Sequence, residues 1–389
     1  MVESGSDTSA GDRPADGRET SMRFSCGRDE LYKAVQSVLG VVASKGVHPV
    51  YESVQIAAGA DGLTLQATDL EIGMRVAVSA DSGLEVLQPG TAVVPAQRLA
   101  AILRELPRER VVFAWDADRR ESTLEAGRGR FKLQGPSPED FPEIPDVGGA
   151  AEIALPASVL RRMIKRTAFA AAKERMRFAL NGLLVQVEGE SIELVATDGR
   201  RLALEADTCA NPDGTSLRAI VPTKGFQQLD KALGDPDSTV WIAVGNNHFR
   251  GRSGDVTVVS RLVEGSFPGY RDVIPATCSH NAQIARDALQ AALRRASLVT
   301  SRDAQCVRLA FASGELAVTA RSSEGSAEER LPCTYDGGEE VLGFNPDFLL
   351  DALGVLDGEH VTFEWNGKAS PGKVTEGSYV YVVMPVSLE

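Results

Sequence analysis

One pattern occurs three times along the 389 residues of this chain, and this repeat limits the fold more than any other feature. Each copy spans roughly 125 residues, which is the size of one domain and far longer than a solenoid repeat. Within each copy an amphipathic helix is followed by strand-like runs, a second helix and closing strand pairs. The predicted first helices run from Asp29 to Leu39, Ala157 to Ala170 and Arg286 to Ser297, and the second from Leu99 to Leu106, Phe226 to Leu233 and Phe348 to Leu356. Triplication of a domain favours the building of a shape over a single catalytic cleft.

Stretches rich in proline and glycine separate the copies, at residues 135–146 and 264–275. Each stretch contains a Phe-Pro pair followed by another proline, and proline restricts its own backbone and that of the residue before it. Such connectors are stiff and hold neighbouring domains at a set angle, which suits an arc or a ring. The sequence therefore predicts a disordered tail at 1–21 and three domains at 22–145, 146–275 and 276–389. The alternating pattern predicts an α+β fold in which two helices per copy pack on largely antiparallel sheets.

Composition argues against several classes of protein. The first 21 residues hold five acidic residues, two arginines and no aromatic residue, so they lack the apolar core of a signal peptide. Apolar runs elsewhere are too short to span a bilayer, and no membrane partner is expected. The five cysteines are scattered without a CxxC pair, so neither a zinc site nor a disulfide framework is predicted. Buried thiols in a reducing cytoplasm are the expected state, and no cofactor is predicted.

The first helix of the second copy is the most basic segment of a chain whose net charge is −13. Arg161 and Lys165 stack at i, i+4, as do Arg162 and Arg166, on the face opposite the apolar residues. Like charges stacked in this way repel each other, and a nearby anion would relieve that repulsion. A solvated helix face is the alternative interpretation. The acidic total argues against a coat of nucleic acid but allows a local basic face.

Basic residues also occur on the equivalent helices, among them Arg98, Lys224, Arg294 and Arg295. The second helix of the third copy departs from this pattern, because residues 346–356 contain two aspartates and no basic residue. Basic helices of this kind offer contacts to phosphates and few groups that can recognise bases. They therefore predict nucleic-acid binding that is independent of sequence and sensitive to salt.

The sequence contains no recognisable catalytic constellation. It lacks a P-loop, a GxGxxG after a strand, a GxSxG elbow and HExxH, and its four histidines lie far apart. Asp198 precedes Gly199 at a strand end, which is typical of a turn, and Thr68-Asp69 repeats the Thr-Asp pair one copy earlier. An enzymatic alternative would need Asp198 and Arg201 as catalytic residues, without the base or nucleophile that such chemistry uses. We therefore predict no catalytic and no metal-binding residues.

Three further segments carry a resemblance to a known family. They are Ala196-Thr197-Asp198-Gly199 before Arg201-Leu202, Ser260-Arg261-Leu262-Val263-Glu264-Gly265 before Phe267-Pro268, and the ending Tyr381-Val382-Val383-Met384-Pro385. Together with the triplicated domain, in order and at matching spacing, they closely resemble the bacterial DNA polymerase III beta subunit, the sliding clamp. The resemblance runs from about Met22 to Leu388.

This resemblance implies a DNA replication processivity factor: a head-to-tail homodimer whose domains form a ring around duplex DNA, with basic helices inside and sheets outside. It also implies a non-catalytic accessory subunit of DNA polymerase III that is cytoplasmic and associated with the nucleoid. The implied protein partners are the replicative DNA polymerase alpha subunit, the clamp loader, and repair and other proteins that carry a clamp-binding motif. The uneven basic lining leaves an alternative open, an interaction scaffold of the same fold that does not encircle DNA.

Individual site residues follow from the basic helices and from the resemblance. The basic residues expected near DNA are Lys45, Arg98, Arg161, Arg162, Lys165, Arg166, Lys173, Lys224, Arg294 and Arg295. The residues that match the family's subunit interface are Phe131, Leu298 and Val299. The residues that match its peptide-binding pocket are Leu180, Thr197, Gly199, Arg201, Leu202, Pro268, Val273, Val382, Val383, Met384 and Pro385. Asp272 and Ser387 depart from the family's pattern and remove positive charge beside the pocket, so the usual preference for acidic motif residues stays open.

Overall fold

The computed structural model describes residues 21–43, 48–80, 83–173, 178–300, 305–323 and 325–388. Residues 1–20 of the predicted tail and the predicted DNA contact Lys45 lie outside these ranges. The described chain divides into two compact units. The first unit extends to Asp69 and includes Arg75–Glu143, and the second comprises Leu70–Met74 and the chain from Ile144 onward.

Six α-helices occur among the described residues, two in each copy of the repeat. They are α1 (Arg28–Val38), α2 (Ala96–Glu105), α3 (Ala157–Thr167), α4 (Thr223–Ala232), α5 (Arg286–Ser297) and α6 (Pro346–Leu353). The sequence pattern predicts all six, with bounds that differ from these by a few residues. The largest change in the first helices is in α3, which ends at Thr167 and continues as a 3-10 turn over Ala168–Ala170.

Proline marks the points where strands end and helices begin. The residues immediately before α2, α3 and α4 are Pro95, Pro156 and Pro222. Proline lacks the N–H that a continuing strand pair would use, and its fixed φ suits the entry to a helix. In α6 the proline stands one place further in, at Pro346, and the Asn345 side chain accepts a hydrogen bond from the Asp347 N–H at 2.9 Å.

The first copy contains nine strands among its described residues. Its strands are β1 (Met22–Gly27), β2 (Ser53–Gly59), β3 (Gly62–Thr68), β4 (Ile72–Ser79), β5 (Glu85–Gln88), β6 (Gly90–Pro95), β7 (Arg110–Asp116), β8 (Glu121–Ala126) and β9 (Gly129–Gln134). Five of them form a sheet in the order β5-β1-β7-β8-β9, and the others pair in the order β4-β3-β2-β6. Helices α1 and α2 pack against each other. Phe24 of β1 stacks on Phe113 of β7 with ring centroids 5.1 Å apart.

The second and third copies share a sheet. The strands of the second copy are β10 (Glu152–Pro156), β11 (Gly182–Glu188), β12 (Ser191–Thr197), β13 (Arg201–Thr208), β14 (Leu217–Pro222), β15 (Thr239–Val244), β16 (His248–Ser253) and β17 (Val256–Arg261). Those of the third copy are β18 (His280–Ala285), β19 (Val307–Ala312), β20 (Glu315–Ser322), β21 (Gly325–Thr334), β22 (Glu340–Phe344), β23 (His360–Trp365), β24 (Gly372–Glu376) and β25 (Tyr379–Val383). Twelve of these strands follow the order β14-β11-β12-β13-β25-β24-β23-β18-β21-β20-β19-β22, and the rest pair as β10-β15-β16-β17.

The antiparallel pairing of β13 with β25 joins the second copy to the third. The paired residues are Arg201 with Val383, Leu202 with Val382, Ala203 with Tyr381 and Leu204 with Val380. An antiparallel pair of this kind exchanges backbone hydrogen bonds. The two copies are therefore held together by main-chain hydrogen bonds as well as by side-chain contacts. Within the second copy, α3 packs directly on β13.

Stacked aromatic rings fill the core of the third copy. The Phe311 and Trp365 rings lie 4.4 Å apart, and Tyr335 and Phe363 lie 5.4 Å and 5.9 Å from Trp365. Trp365 is fully buried. Because aromatic pairs add stabilisation beyond the area that they bury, Trp365 at the centre of this cluster is a main support of the third copy.

We expect Trp365→Ala to lower the free energy of unfolding by about 3–5 kcal/mol, because it leaves a large cavity among these rings. Trp241→Ala is the matched control, since Trp241 is half-buried on β15 and mainly contacts the Arg252 guanidinium, 5.7 Å from its ring. Urea titration measures both losses. Equal losses in the two variants would contradict the central position of Trp365.

Candidate functional site

Most predicted pocket residues lie where β13 begins and β25 ends. The antiparallel register sets Arg201 opposite Val383 and Leu202 opposite Val382. Beyond the last pair, the Met384 N–H donates a hydrogen bond to the Arg200 carbonyl oxygen at 2.8 Å. Backbone hydrogen bonds between antiparallel strands form whatever the distance between those strands along the chain. The structure therefore brings together two segments that lie far apart in sequence.

The turn between β12 and β13 is fixed by its own side chains. The Thr197 hydroxyl donates to the Arg201 carbonyl oxygen at 2.6 Å and accepts from the Gly199 N–H at 3.1 Å. One carboxylate oxygen of Asp198 accepts from the N–H groups of Arg200 and Arg201 at 2.9 Å and 3.1 Å. Gly199 has φ +87°, a conformation that favours glycine. Asp198 thus builds the turn, in keeping with the structural role that its sequence context indicates.

Arg201 is the most heavily bonded side chain of the site. Its guanidinium donates to Asp198 at 3.1 Å, to Asp351 at 2.7 Å and to the Phe169 carbonyl oxygen at 2.8 Å. It also lies 4.4 Å from the centre of the Phe348 ring. Burial alone would lower the pKa of Arg201, but the hydrogen bond to Asp351 and the nearby acidic groups raise it. Arg201 therefore stays charged and ties β13 to α6 of the third copy.

The sequence pattern did not identify Phe169, Phe348 and Asp351 as site residues. Asp351 and Phe348 are brought to Arg201 by α6, which the sequence marks only as a helix without basic residues. Phe169 comes from the 3-10 turn after α3 and also packs on the Tyr381 ring at 5.9 Å. The acidic character of residues 346–356 could have pointed to Asp351, whereas the two phenylalanines carry no such signal.

An apolar cluster forms the floor beneath the turn. Its buried members are Leu184, Val195, Leu202, Leu204, Ile220, Phe267, Tyr270 and Val382. Leu180, Thr197, Arg201 and Val383 from the predicted pocket set are buried as well. By contrast Pro268, Val273 and Met384 are exposed, Met384 by 42%, and Pro385 is half-buried. The predicted pocket residues thus divide into a buried set, called here the floor, and an exposed apolar set, called here the rim.

The connector after β17 is anchored to β12. The Tyr270 hydroxyl donates to Glu193 at 2.7 Å, and Arg271 binds the same carboxylate at 2.8 Å and 2.9 Å. Burial and the hydrogen bond to Glu193 raise the pKa of Tyr270 to about 12. This anchoring fixes the segment that carries Pro268 and Val273, which form one side of the rim.

A cavity of about 300 Å³ lies next to the Arg201 guanidinium. Its lining residues are Ala171, Ala172, Lys173, Asp198, Arg200, Arg201 and Phe348. Lys173, predicted as a DNA contact, therefore lies beside the candidate pocket. Together with Arg200 it supplies positive charge there, beside the Asp198 carboxylate.

The predicted DNA-binding residues differ in their exposure and partners. Arg98, Lys165, Lys173, Lys224 and Arg294 are exposed. Arg161 lies 3.5 Å from Asp230 and donates to the Leu233 carbonyl oxygen at 2.7 Å. Arg162 pairs with Glu205 at 3.3 Å and with Asp207, and Arg295 pairs with Glu329 at 2.7 Å and 2.8 Å. Those three arginines already have carboxylate partners within the chain.

The structure contradicts the expectation that Arg166, a predicted DNA contact, lies on an exposed basic face. Arg166 is only 7% exposed and pairs with Glu205 at 3.4 Å, with Asp357 at 3.1 Å and with Glu376. Its guanidinium also lies 5.5 Å from the centre of the Tyr379 ring. The i, i+4 pattern treats the basic stack as one exposed face, but α3 packs on β13 and directs Arg166 towards carboxylates of the third copy.

The predicted interface residues lie at or near open strand edges. Phe131 is 38% exposed on β9, which is the last strand of its sheet. Leu298 is 81% exposed just after α5, and Val299 is half-buried. Strand β21 pairs with β20 along its length but with β18 only at Cys333 and Thr334. Among the described strands, residues 325–332 of β21 therefore have a neighbour on one side alone.

The described residues offer neither a metal centre nor a membrane-spanning helix. No group of three or more His, Cys, Asp or Glu side chains in those ranges is placed to hold a metal ion. No helix in the same ranges is both long enough and apolar enough to cross a bilayer.

Three protein-family models together match almost the whole described chain. Residues 22–145 match the DNA polymerase III beta subunit, N-terminal domain. Residues 154–269 match its central domain, and residues 271–387 match its C-terminal domain. The three matches follow one another in the family's own order.

Individual relatives agree with these matches. The beta sliding clamp of Pseudomonas aeruginosa is 34% identical over 371 residues, covering 94% of this chain and 100% of that protein. The solved clamp of the same species bound to griselimycin has a TM-score of 0.89 and 34% identity, covering 95% of this chain and 100% of that one. The solved clamp of Bacillus subtilis has a TM-score of 0.90 at 25% identity, with the same coverage.

We expect Arg201→Lys to lower the free energy of unfolding by about 1.5–3 kcal/mol, because one ammonium group cannot serve Asp198, Asp351 and the Phe169 carbonyl together. Arg200→Lys is the matched control: the neighbouring arginine is exposed, and its exchange should change stability by less than about 0.5 kcal/mol. Urea titration of both variants provides the measurement. A loss for Arg201→Lys no larger than the control's would contradict its bridging role.

Proposed function

The chain belongs to the DNA polymerase III beta subunit family, the sliding clamps, and from this membership we propose that it encircles duplex DNA as a replication processivity factor. The observation that carries the proposal is the ordered match of three tandem clamp domains over residues 22–387. We propose domain limits of 22–145, 146–275 and 276–389. A protein that serves replication works at the chromosome, so we propose a cytoplasmic, nucleoid-associated location.

We propose that two protomers form a head-to-tail ring in which β9 of one pairs with β21 of the other. Each strand has an open edge among the described residues. At each interface, this pairing satisfies the backbone groups of two open strand edges. A heterologous contact of this kind generates a closed ring when the rotation between protomers permits it. Phe131 and Leu298 supply the exposed apolar contact expected at the centre of such an interface.

We propose that the exposed cations of the helices contact DNA phosphates. Arg98, Lys165, Lys224 and Arg294 are accessible on four different helices. Contacts to phosphate carry no sequence information and weaken as salt rises. The set is smaller than the sequence suggests, because several arginines are paired with carboxylates and Arg166 is buried. Retention on DNA would therefore depend on ring closure more than on electrostatic attraction.

The rim and floor at the β13–β25 junction are proposed as the docking site for short peptide motifs. Exposed Met384 can adapt to different apolar side chains over a rigid floor, and exposed Val273 adds apolar surface. The griselimycin complex of the Pseudomonas aeruginosa clamp supports a ligand site on this fold. The proposed partners are the replicative polymerase alpha subunit, the clamp loader and repair proteins. Tethering raises their local concentration on DNA, and the clamp itself would perform no catalysis.

Topological binding predicts different behaviour on circular and linear DNA. Once a clamp loader has placed the protein on nicked circular DNA, we expect it to remain bound through a high-salt wash and to leave when the DNA is cut. Gel filtration of labelled protein with the DNA measures retention. Equal loss from circular and linear DNA would favour the scaffold that does not encircle DNA.

The proposed interface predicts that Leu298→Glu separates the protomers. An unpaired carboxylate in a buried contact costs about 3–5 kcal/mol, so the dimer dissociation constant should rise more than about 100-fold. Leu87→Glu is the control, because Leu87 is an exposed leucine on β5, away from β9 in the sheet order. Sedimentation velocity measures both. Dimers of unchanged affinity in Leu298→Glu would remove this contact from the interface.

A further inference from the structure

Arg166 is the buried centre of an ionic network that joins two copies of the repeat. Glu205, which is 1% exposed, belongs to β13 of the second copy. Asp357 and Glu376 belong to the third copy, at the turn after α6 and on β24. Glu376 also accepts hydrogen bonds from the N–H groups of Asp357 at 3.2 Å and Gly358 at 2.8 Å. One guanidinium thus connects α3, β13, β24 and that turn.

The network has more negative than positive charge. Two arginines, Arg162 and Arg166, face four carboxylates, those of Glu205, Asp207, Asp357 and Glu376. Arg162 reaches only Glu205 and Asp207, which both lie on β13. Arg166 is therefore the cation that lies between the Glu205 carboxylate of the second copy and the carboxylates of the third copy, and it pairs with both sides. Glu205 is buried and Glu376 is mostly buried, so their carboxylates repel each other when that partner is lost, whereas solvent screens the exposed Asp357.

Both strands of the candidate pocket also contact this network at their other end. Glu205 lies four residues along β13 from Arg201, and Tyr379, whose ring contacts Arg166, lies four residues along β25 from Val383. At about 3.3 Å per residue, the network is about 13 Å from the pocket along either strand. Arg166 is also one helical turn from Phe169, whose carbonyl oxygen holds Arg201.

We propose that Arg166 is a positioning residue for the peptide pocket. It holds β13 and β25 at the spacing that puts the Leu202 floor beneath the Met384 rim, without contacting the ligand itself. This inference rests on the proposed role of the pocket. Without Arg166, repulsion between Glu205 and Glu376 would push the two copies apart at one end of the strand pair.

The test is the binding of griselimycin to the full-length dimer, measured by calorimetry. Arg166→Met keeps much of the side-chain volume and removes the charge, and we expect griselimycin to bind about 3- to 30-fold more weakly, the usual range for coupling through packed elements. Lys231→Met is the control, because Lys231 is an exposed cation on α4 of the same copy that does not belong to the network, and its exchange should leave the affinity unchanged. Arg166→Lys, which keeps the charge but cannot reach all three carboxylates, should show an intermediate loss even if Arg166→Met does not fold.

Two readouts separate positioning from a general loss of stability. Amide hydrogen exchange at Val380–Val383 should quicken in Arg166→Met without griselimycin, while exchange in the first copy stays as in the parent protein. Adding Glu205→Gln and Glu376→Gln to Arg166→Met should restore binding, because neutral amides no longer repel. A side chain that only fills space would not be rescued in this way.

The outcomes that would overturn the proposal are distinct. Parent-like affinity and exchange in both Arg166→Met and Arg166→Lys would exclude a positioning role, provided that Met384→Ala weakens griselimycin binding. Unchanged affinity in Met384→Ala would instead remove the pocket assignment, and the positioning role would fall with it.

Discussion

The backbone pairing of β13 with β25 is the interaction on which the candidate site depends. It unites strands from two copies of the repeat in one sheet and sets Arg201 opposite Val383. Side chains then reinforce the joint at both ends, Arg166 with Glu205 and Glu376 at one end and Arg201 with Asp351 at the other. A ligand site built across a joint of this kind is only as well ordered as the joint.

The copies share a backbone scheme and differ in the side chains laid over it. After β25 the Met384 and Val386 N–H groups donate to the carbonyl oxygens of Arg200 and Gly343, each at 2.8 Å. After β17 the N–H groups of Arg261 and Val263 donate to those of Glu71 and Ile220, each at 2.9 Å. The same arrangement, in which two N–H groups two residues apart bind carbonyl oxygens of two different segments, thus occurs after both strands. Gly199 takes the left-handed turn position in the second copy, whereas the first copy places the more strained Leu70 there, at φ +76°.

Local patterns in the sequence were sufficient to predict the helices. The amphipathic periodicity of a helix and the proline before it are signals that lie within a few residues of each other. The meeting of the β12–β13 turn with the chain end came from the family resemblance and not from periodicity. Phe348 and Asp351 were missed because their link to Arg201 spans about 150 residues of sequence, and such contacts leave no local signal. Arg166 was misassigned for a related reason: periodicity gives the face of a helix but not the carboxylates that a distant strand brings to it.

The two open strand edges carry charged side chains that are already paired within the chain. Arg130 and Lys132 on β9 each lie beside a glutamate of the neighbouring strand β8, at 3.1 Å and 2.7 Å. On β21, Glu328 pairs with Arg330 at 2.8 Å, and Glu329 pairs with an arginine of α5. Charged side chains along an edge discourage the disordered strand addition that an unprotected edge invites. Because each charge has an opposite charge beside it, the edges gain this protection without strong repulsion among their own residues.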